Sequence, residues 1–220
     1  MKSRKSLLKK SQLYLILDRA RFRRISLKKI CSLVSGKEIG LIQLRDKFSA
    51  KADVLKFALK LAKQIGSTKT LFIVNDYADV AAVALADGVH LGQEDLSLKQ
   101  ARKILGQDKI IGVSCHNLAQ ALKAQKEGAD YIGIGPLYET ATKPGYPGIG
   151  LKAVVELRAK IKIPYFAIGN IHAGNIEEIT AAGIRRIAVC GAILKASHPK
   201  QAAKRLYSLQ CKIAKALRKL

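Results

Sequence analysis

Residues 110–136, IIGVSCHNLAQALKAQKEGADYIGIGP, contain the pattern that decides the fold. The apolar run Ile110–Cys115 has the length and composition of a buried strand. Asn117–Gly128 begins with a capping Asn and ends with Gly, so it predicts a helix. Tyr131–Pro136 then repeats the strand pattern. A strand, a helix and a second strand in this order predict one unit of a parallel sheet.

The same unit recurs along the whole chain of 220 residues, with strand-like runs that begin 18 to 32 residues apart. Eight such runs, separated by helical patterns, predict an α/β fold with a single (β/α)8 TIM barrel. An open doubly wound sheet would require a G-x-G-x-x-G turn after the first strand, and the sequence there provides none. The predicted strands are Leu13–Asp18, Gly40–Asp46, Thr70–Asp76, Gly88–Gly92, Ile110–Cys115, Tyr131–Pro136, Ile163–Gly169 and Arg185–Gly191.

No linker divides the chain, so residues 1–12 are interpreted as a basic N-terminal extension and residues 13–220 as the barrel. The barrel would include a basic C-terminal helix from about Lys200. Its apolar stripe predicts packing over the seam between strands eight and one. Residues 1–10 contain no strand or candidate site residue, so their removal is expected to leave catalysis unchanged. The stripe consists of Leu206, Leu209, Ile213 and Leu217.

The net charge of +24 is concentrated at the two ends of the chain. Residues 1–30 have a net charge of +10, residues 195–220 of +8, and the long middle of only +6. Such ends could bind phosphates of a nucleic acid. No aromatic-interleaved nucleic-acid motif accompanies the charge, so solvated helix faces are the favoured interpretation.

Apolar and cysteine patterns exclude several classes of protein. No apolar run approaches the roughly 20 residues of a membrane span, and no signal-peptide pattern follows the basic N-terminus. The four cysteines show no zinc-like spacing and no disulfide framework. We therefore expect a cytoplasmic protein without a membrane partner, and the sequence leaves open whether it forms a homo-oligomer.

Polar residues at the carboxyl ends of strands two to four predict a site for a metal and a phosphate. In a barrel the active site lies at this end. Alternation places Gln43 and Arg45 on one strand face, and an interior Arg is costly unless it meets an anion. Lys47 adds a second cation. Asp76 and Asp95 follow neighbouring strands, beside Asn75, and such carboxylates suit Mg²⁺ bound to a substrate phosphate.

A second candidate anion site follows strands six to eight. The long loop Leu137–Gly150 contains Thr140, Thr142 and Lys143, which could close over phosphate oxygens. Backbone N–H groups after strands seven and eight are the usual phosphate site of this fold. In strand five, Cys115 and His116 point to opposite faces, so a Cys–His nucleophile is disfavoured, and His90 is interpreted as a satisfied barrel histidine.

Taken in order, these strand ends resemble the thiamine-phosphate synthase (thiamine-phosphate pyrophosphorylase) family from Tyr14 to about Ala192. The resemblance rests on Gln43-Leu44-Arg45-Asp46-Lys47, Val74-Asn75-Asp76, Gly88-Val89-His90-Leu91-Gly92-Gln93-Glu94-Asp95, Gly112-Val113-Ser114, Gly133-Ile134-Gly135-Pro136, Thr142-Lys143 and Ala167-Ile168-Gly169.

The resemblance implies a transferase that joins hydroxymethylpyrimidine diphosphate to a thiazole phosphate and releases diphosphate by a dissociative mechanism. Asp76 and Asp95 would hold Mg²⁺. The residues that would stabilise the leaving diphosphate are Arg45, Lys47, Asn75 and Lys143, of which Arg45, Lys47 and Lys143 are the candidate catalytic residues. Gln43 and Ser114 would orient the pyrimidine, and Thr140 and Thr142 would help close the loop. The thiazole phosphate would bind the backbone of Gly169, Val189 and Cys190.

Three positions depart from the family pattern: Asn170 replaces a usual glycine, Cys190 a serine and Ala141 a serine. Asn tolerates a left-handed backbone, so the phosphate loop is expected to persist. Two alternatives stay open. One is a related thiazole tautomerase that uses His116, and the other is a catalytically degenerate barrel that binds nucleic acid through its basic ends. The set of strand-end charges favours the synthase.

Overall fold

The computed structural model describes residues 3–23, 25–140, 145 and 147–216, and describes side chains as far as residue 213. Eight parallel strands pair in sequence order and close into a barrel. The predicted (β/α)8 TIM barrel is therefore confirmed. The strands are β1 (Leu13–Asp18), β2 (Ile39–Arg45), β3 (Leu71–Asn75), β4 (Gly88–Leu91), β5 (Ile110–Cys115), β6 (Tyr131–Ile134), β7 (Tyr165–Ile168) and β8 (Ile187–Val189).

Helices follow the strands, as the sequence predicts. Two further helices, α1 and α9, were not predicted. The helices are α1 (Arg4–Lys10), α2 (Leu27–Val34), α3 (Lys51–Ile65), α4 (Ala78–Val83), α5 (Leu98–Leu105), α6 (Leu118–Lys126), α7 (Gly150–Lys160), α8 (Ile176–Ala181), α9 (Gly191–Leu194) and α10 (Pro199–Ala216).

Local capping explains where several helices begin. Ser97 accepts a hydrogen bond from the Gln100 backbone N–H and completes a capping box at α5. Asn117 caps α6 as predicted, accepting from the Gln120 N–H at 2.9 Å. Asn175 stands at the same position before α8, but its side chain makes no capping bond, because its oxygen accepts from the His172 N–H at 2.8 Å instead.

Strand alternation separates two apolar cores. Tyr14 and Ile16 of β1 lie in the barrel interior with Leu41 of β2. Leu13 and Leu15 instead pack against the surrounding helices. Since alternate residues share a strand face, Leu41 places Gln43 and Arg45 on the interior face as well. This face leads to the carboxyl ends of the strands and so positions the site.

Helix α1 lies against the amino-terminal end of the barrel. Leu8 is only 2% exposed and belongs to the interior core. Arg4 Nε lies 2.7 Å from Asp87 Oδ1, and Lys5 Nζ lies 3.0 Å from Asp130 Oδ1. The predicted basic extension thus contains a helix that covers the barrel floor.

The C-terminal helix α10 packs against α2, α8 and α9, next to the join between β8 and β1. Leu206 is buried, and Leu209 packs against the core. Leu206 and Leu209 of the predicted stripe therefore pack on the barrel, whereas Leu217 lies outside the described residues. None of the helices in the described part of the chain combines the length and apolarity that crossing a membrane requires.

Candidate active site

A cavity of about 360 Å³ opens at the carboxyl end of the barrel. Every predicted site residue that the structure describes lines it, except Asp95. The predicted lining residues are Gln43, Arg45, Lys47, Asn75, Asp76, Ser114, Thr140, Gly169, Val189 and Cys190. Thr142, Lys143 and Ala141, named from the loop after strand six, lie outside the described residues.

Arg45 meets its anion inside the protein. Its guanidinium lies 2.5 Å from Asp18 Oδ2, and the Asp18 side chain is 1% exposed. Asp18 and Arg45 are register partners on β1 and β2, which sets the two side chains side by side. The sequence predicted that this Arg needs an anion, but it did not identify Asp18 as that anion. The cation at the cavity wall is therefore held in a fixed place by a buried carboxylate.

A second ion pair, Arg19 with Asp46, lies just after the ends of β1 and β2. Arg19 contacts Asp46 at 3.1 Å. Burial raises the pKa of Asp46, but hydrogen bonds from Ser49 and Phe48 and the charge of Arg19 outweigh burial, so the pKa lies below its ordinary value. These bonds from backbone N–H groups fix the turn that follows β2 and carries Lys47 toward the cavity.

Two carboxylates and a lysine meet after β3 and β4. Lys47 Nζ lies 3.0 Å from Asp76 Oδ2. Burial and the adjacent Asp95 carboxylate raise the pKa of Asp76, while Lys47 partly offsets them. Asp76 also has a left-handed backbone, with φ of 65°, a conformation that non-glycine residues adopt at some cost. The two predicted metal ligands are therefore adjacent, and their mutual repulsion favours a cation between them.

The donor set fits a hard divalent cation. Two carboxylates supply the oxygen ligands that Mg²⁺ prefers, and Mg²⁺ commonly completes its octahedron with water and substrate phosphate. Among the described residues, no group of three or more His, Cys, Asp or Glu side chains is arranged around a metal position. A cation held by these two carboxylates would thus complete its coordination with water and substrate phosphate.

Five polar side chains form a continuous hydrogen-bond chain across the barrel interior. Gln43 Nε2 donates to the Tyr14 hydroxyl at 2.7 Å, and the Tyr14 and Tyr131 hydroxyls lie 2.9 Å apart. The Tyr131 hydroxyl lies 3.0 Å from His90 Nδ1. His90 Nε2 lies 2.9 Å from Ser114 Oγ. We call this set the interior hydrogen-bond chain.

The interior chain confirms the prediction that His90 is a satisfied barrel histidine. It also shows two contributors that the sequence analysis missed, Tyr14 and Tyr131. The one available signal was their position on the interior face of apolar strands, where a buried Tyr hydroxyl needs a partner. Which hydroxyls pair depends on three-dimensional register, so the sequence did not identify the partners.

Cys115 is not an activated nucleophile. The side chain is 1% exposed, and burial raises the pKa of the thiol to about 12. His116 Nδ1 lies 2.5 Å from the Gly135 carbonyl oxygen. The thiol therefore stays protonated at neutral pH, as the prediction from strand alternation requires.

The opposite wall of the cavity is formed by the ends of β7 and β8. Gly169 has φ of 116°, and Asn170 has φ of 49°, which is the left-handed backbone that Asn tolerates. A Cβ on Gly169 would lie 2.6 Å from Leu137 N and Pro136 Cα, so only glycine fits there. Cys190 lies next to this wall, and burial raises the pKa of its thiol to about 11. Further lining residues that the sequence did not predict include Arg21, Phe22, His172 and Lys195.

Comparison with known proteins gives consistent matches. The model of the family described as thiamine monophosphate synthase matches residues 13–193. A thiamine-phosphate synthase from Synechococcus sp. (strain WH7803) is 44% identical over 178 residues, which cover 81% of this chain and 50% of that protein. The chain thus spans half the length of that relative. A thiamine-phosphate synthase from Clostridium acetobutylicum is 37% identical over 198 residues, covering 90% of this chain and 94% of that protein.

A solved structure agrees with these matches. A thiamine phosphate pyrophosphorylase from Pyrococcus furiosus is 32% identical and superposes with a TM-score of 0.83. The superposition covers 94% of this chain and 98% of that one.

Proposed function

Because this chain belongs to the thiamine monophosphate synthase family, we propose that it joins hydroxymethylpyrimidine diphosphate to a thiazole phosphate. The products are thiamine phosphate and diphosphate. The observation that carries this proposal is the cluster in which Lys47 lies 3.0 Å from Asp76, beside Asp95, at the cavity rim. Free cysteines in the described chain and the family relationship support a cytoplasmic location.

The diphosphate would lie at the rim of the cavity. Lys47 and Arg45 would neutralise charge that grows on the leaving oxygen, and Asn75 would donate a hydrogen bond. Both cations already have carboxylate partners, Asp76 and Asp18, so little reorganisation is needed when charge develops. Asp76 and Asp95 would hold Mg²⁺, which would supply further charge neutralisation to the diphosphate. Lys143 stays a prediction for the same subsite, and Thr142 stays a prediction for closure of the loop.

The chemical step needs no general base or nucleophile from the protein. The C–O bond breaks and its electron pair leaves with diphosphate, while the aminopyrimidine delocalises the cation at the methylene carbon. The thiazole nitrogen then supplies the pair that forms the C–N bond. The protein's part is to orient the two substrates and stabilise the leaving group. A cavity whose two thiols are protonated at neutral pH is consistent with this division.

The thiazole phosphate would bind at the opposite wall. Backbone N–H groups of Gly169, Val189 and Cys190 would donate hydrogen bonds to the phosphate. Thr140 lines the cavity on the side of the loop that follows β6. A serine hydroxyl is not required for a backbone contact, so Cys190 is compatible with this subsite. The close approach of Gly169 to Pro136 supports a fixed loop here.

Turnover with both substrates and Mg²⁺, each omitted in turn, tests the activity.

Asp95 Oδ2 also accepts a hydrogen bond from the Gly92 N–H at 2.6 Å, so Asp95→Ala would remove a loop contact together with the charge. Asp95→Asn isolates the charge. We expect it to lower kcat by about a hundredfold or more and to raise the Mg²⁺ requirement. Glu94→Gln, an exposed neighbour, is the matched control and should behave as wild type.

Three results would contradict parts of this proposal. Unchanged kcat and Mg²⁺ dependence in Asp95→Asn would remove the metal assignment. Isomerisation of a thiazole phosphate without the pyrimidine substrate would favour the tautomerase alternative. No turnover, together with salt-sensitive RNA binding, would favour the degenerate barrel.

A further inference from the structure

The interior hydrogen-bond chain runs in one direction. Each tyrosine hydroxyl has a single proton to donate. Because Gln43 Nε2 donates to the Tyr14 oxygen, the Tyr14 O–H is free to donate its hydrogen bond to the Tyr131 oxygen. Tyr131 then donates to His90 Nδ1, which leaves His90 Nε2–H to donate to Ser114 Oγ.

A hydrogen bond in the opposite direction, donated by Tyr131 to Tyr14, is unfavourable. If Tyr131 donated to Tyr14, the Tyr14 oxygen would accept two hydrogen bonds, and its own proton would have no acceptor in the chain. Tyr14 is 2% exposed, and an unused buried donor costs about 1–3 kcal/mol. The direction that uses every hydroxyl proton therefore wins.

Two glycines of neighbouring strands make room for this chain. A Cβ on Gly112 would lie 2.1 Å from Tyr131 Cζ, and a Cβ on Gly133 would lie 3.3 Å from His90 Cε1. The rings of Tyr131 and His90 pack 5.4 Å apart between them. The sequence thus reserves space for the tyrosine and the histidine in the barrel interior.

We propose that Tyr14, Tyr131 and His90 are positioning residues that fix which atoms Gln43 and Ser114 present to the substrate. Gln43 and Ser114, the two ends of the chain, both line the cavity. No hydrogen bond within the described residues uses Gln43 Oε1, so this end presents an acceptor. Ser114 accepts from His90 and presents its O–H as a donor.

This pair of ends selects a ligand that donates at Gln43 and accepts at Ser114. A nitrogen heterocycle with an exocyclic amino group has both features, because the amino N–H donates and the ring nitrogen accepts. An aminopyrimidine belongs to this class. The inference therefore rests on the proposed function and explains how the interior hydrogen-bond chain would help the protein to recognise the pyrimidine substrate.

Tyr131→Phe tests the inference, because it removes the hydroxyl in the middle of the chain and keeps the ring. The Tyr14 proton then has only Gln43 left as an acceptor in the chain. The Gln43 amide is expected to turn its Oε1 toward Tyr14 and its NH2 toward the cavity. The variant should therefore lose its preference for an amino-substituted ring.

The measurement compares binding of hydroxymethylpyrimidine diphosphate with binding of the analogue in which hydrogen replaces the amino group. Titration calorimetry in Mg²⁺ buffer gives both dissociation constants. We expect wild type to prefer the amino compound by about tenfold or more, and Tyr131→Phe to reduce the ratio to near one. The KM for the thiazole phosphate should not change.

Tyr165→Phe is the matched control, because it removes the hydroxyl of a tyrosine on β7 that is only 9% exposed and takes no part in the interior hydrogen-bond chain. Its preference ratio should equal that of wild type. Tyr14→Phe removes the partner of Gln43 directly and should lose the preference too, so it tests the inference if Tyr131→Phe does not fold.

The failures of the inference and of the proposed function are distinguishable. Wild type that neither binds nor converts the pyrimidine diphosphate overturns the proposed function. Active wild type with an undiminished preference ratio in folded Tyr131→Phe, or in folded Tyr14→Phe, overturns the positioning role alone.

Discussion

Leu8→Ala should destabilise the barrel from the end opposite the active site. Leu8 is 2% exposed, and it packs into the interior core below Tyr14. Truncation of a buried Leu to Ala costs about 2–5 kcal/mol, because the transfer free energy is lost and a cavity stays behind. For a chain of this size each kcal/mol lowers the melting temperature by about 2–4 °C. A central loss of about 3 kcal/mol thus lowers it by about 6–12 °C.

The assay is thermal unfolding of purified protein, with activity measured well below the transition. Lys9→Ala is the matched control, since Lys9 lies on the same helix with an exposed side chain. It should melt close to wild type. Activity of folded Leu8→Ala should be unchanged, because Leu8 does not line the cavity. If Leu8→Ala melts within about 1 °C of Lys9→Ala, α1 does not contribute to the barrel floor, and the packing argument is wrong.

Two further predictions concern stability. Gln210 of α10 is 1% exposed, and its side-chain amide has no hydrogen-bond partner within the described chain, so Gln210→Met should raise the melting temperature by about 2–6 °C. The exposed Gln201→Met on the same helix should not, and equal shifts would refute the argument. The lowered pKa of Asp46 contributes stability above the unfolded pKa of about 3.9, and this is lost as pH falls through the folded value. Asp46→Asn should therefore have a lower free energy of unfolding than wild type at pH 7, and chemical denaturation should show this difference closing below about pH 4. The exposed Asp108→Asn should not show this pH-dependent difference from wild type.

Periodicity was sufficient to predict the barrel and the faces of its strands. The alternation that placed Gln43 and Arg45 together depends on local backbone geometry alone, and both residues line the cavity. β1 and β5 have the predicted bounds, whereas β8 is reduced to Ile187–Val189. Strand ends depend on which partner continues the ladder, and that is a property of the closed sheet.

The sequence alone could not predict which side chains pair across neighbouring strands. An anion was expected beside Arg45, but several acids follow predicted strands, and only the register of β1 with β2 selects Asp18. The same holds for Tyr14 and Tyr131, which are 117 positions apart along the chain. Elements without strong periodicity were missed for a related reason. Helix α1 has seven residues, too few to be stable alone, so tertiary packing of Leu8 decides that it forms.

The ion pairs of α1 also bear on the unexplained positive charge. Arg4 and Lys5 contact Asp87 and Asp130, acids at the amino-terminal ends of barrel strands. Their cationic groups therefore dock the helix on the barrel and are not both available for an external phosphate. Such part-exposed pairs contribute about 0–1 kcal/mol each, so their value lies in orienting α1 while Leu8 supplies most of the stability. A basic N-terminus that serves the fold weakens the case for a nucleic-acid partner and agrees with a catalytic site at the other end of the barrel.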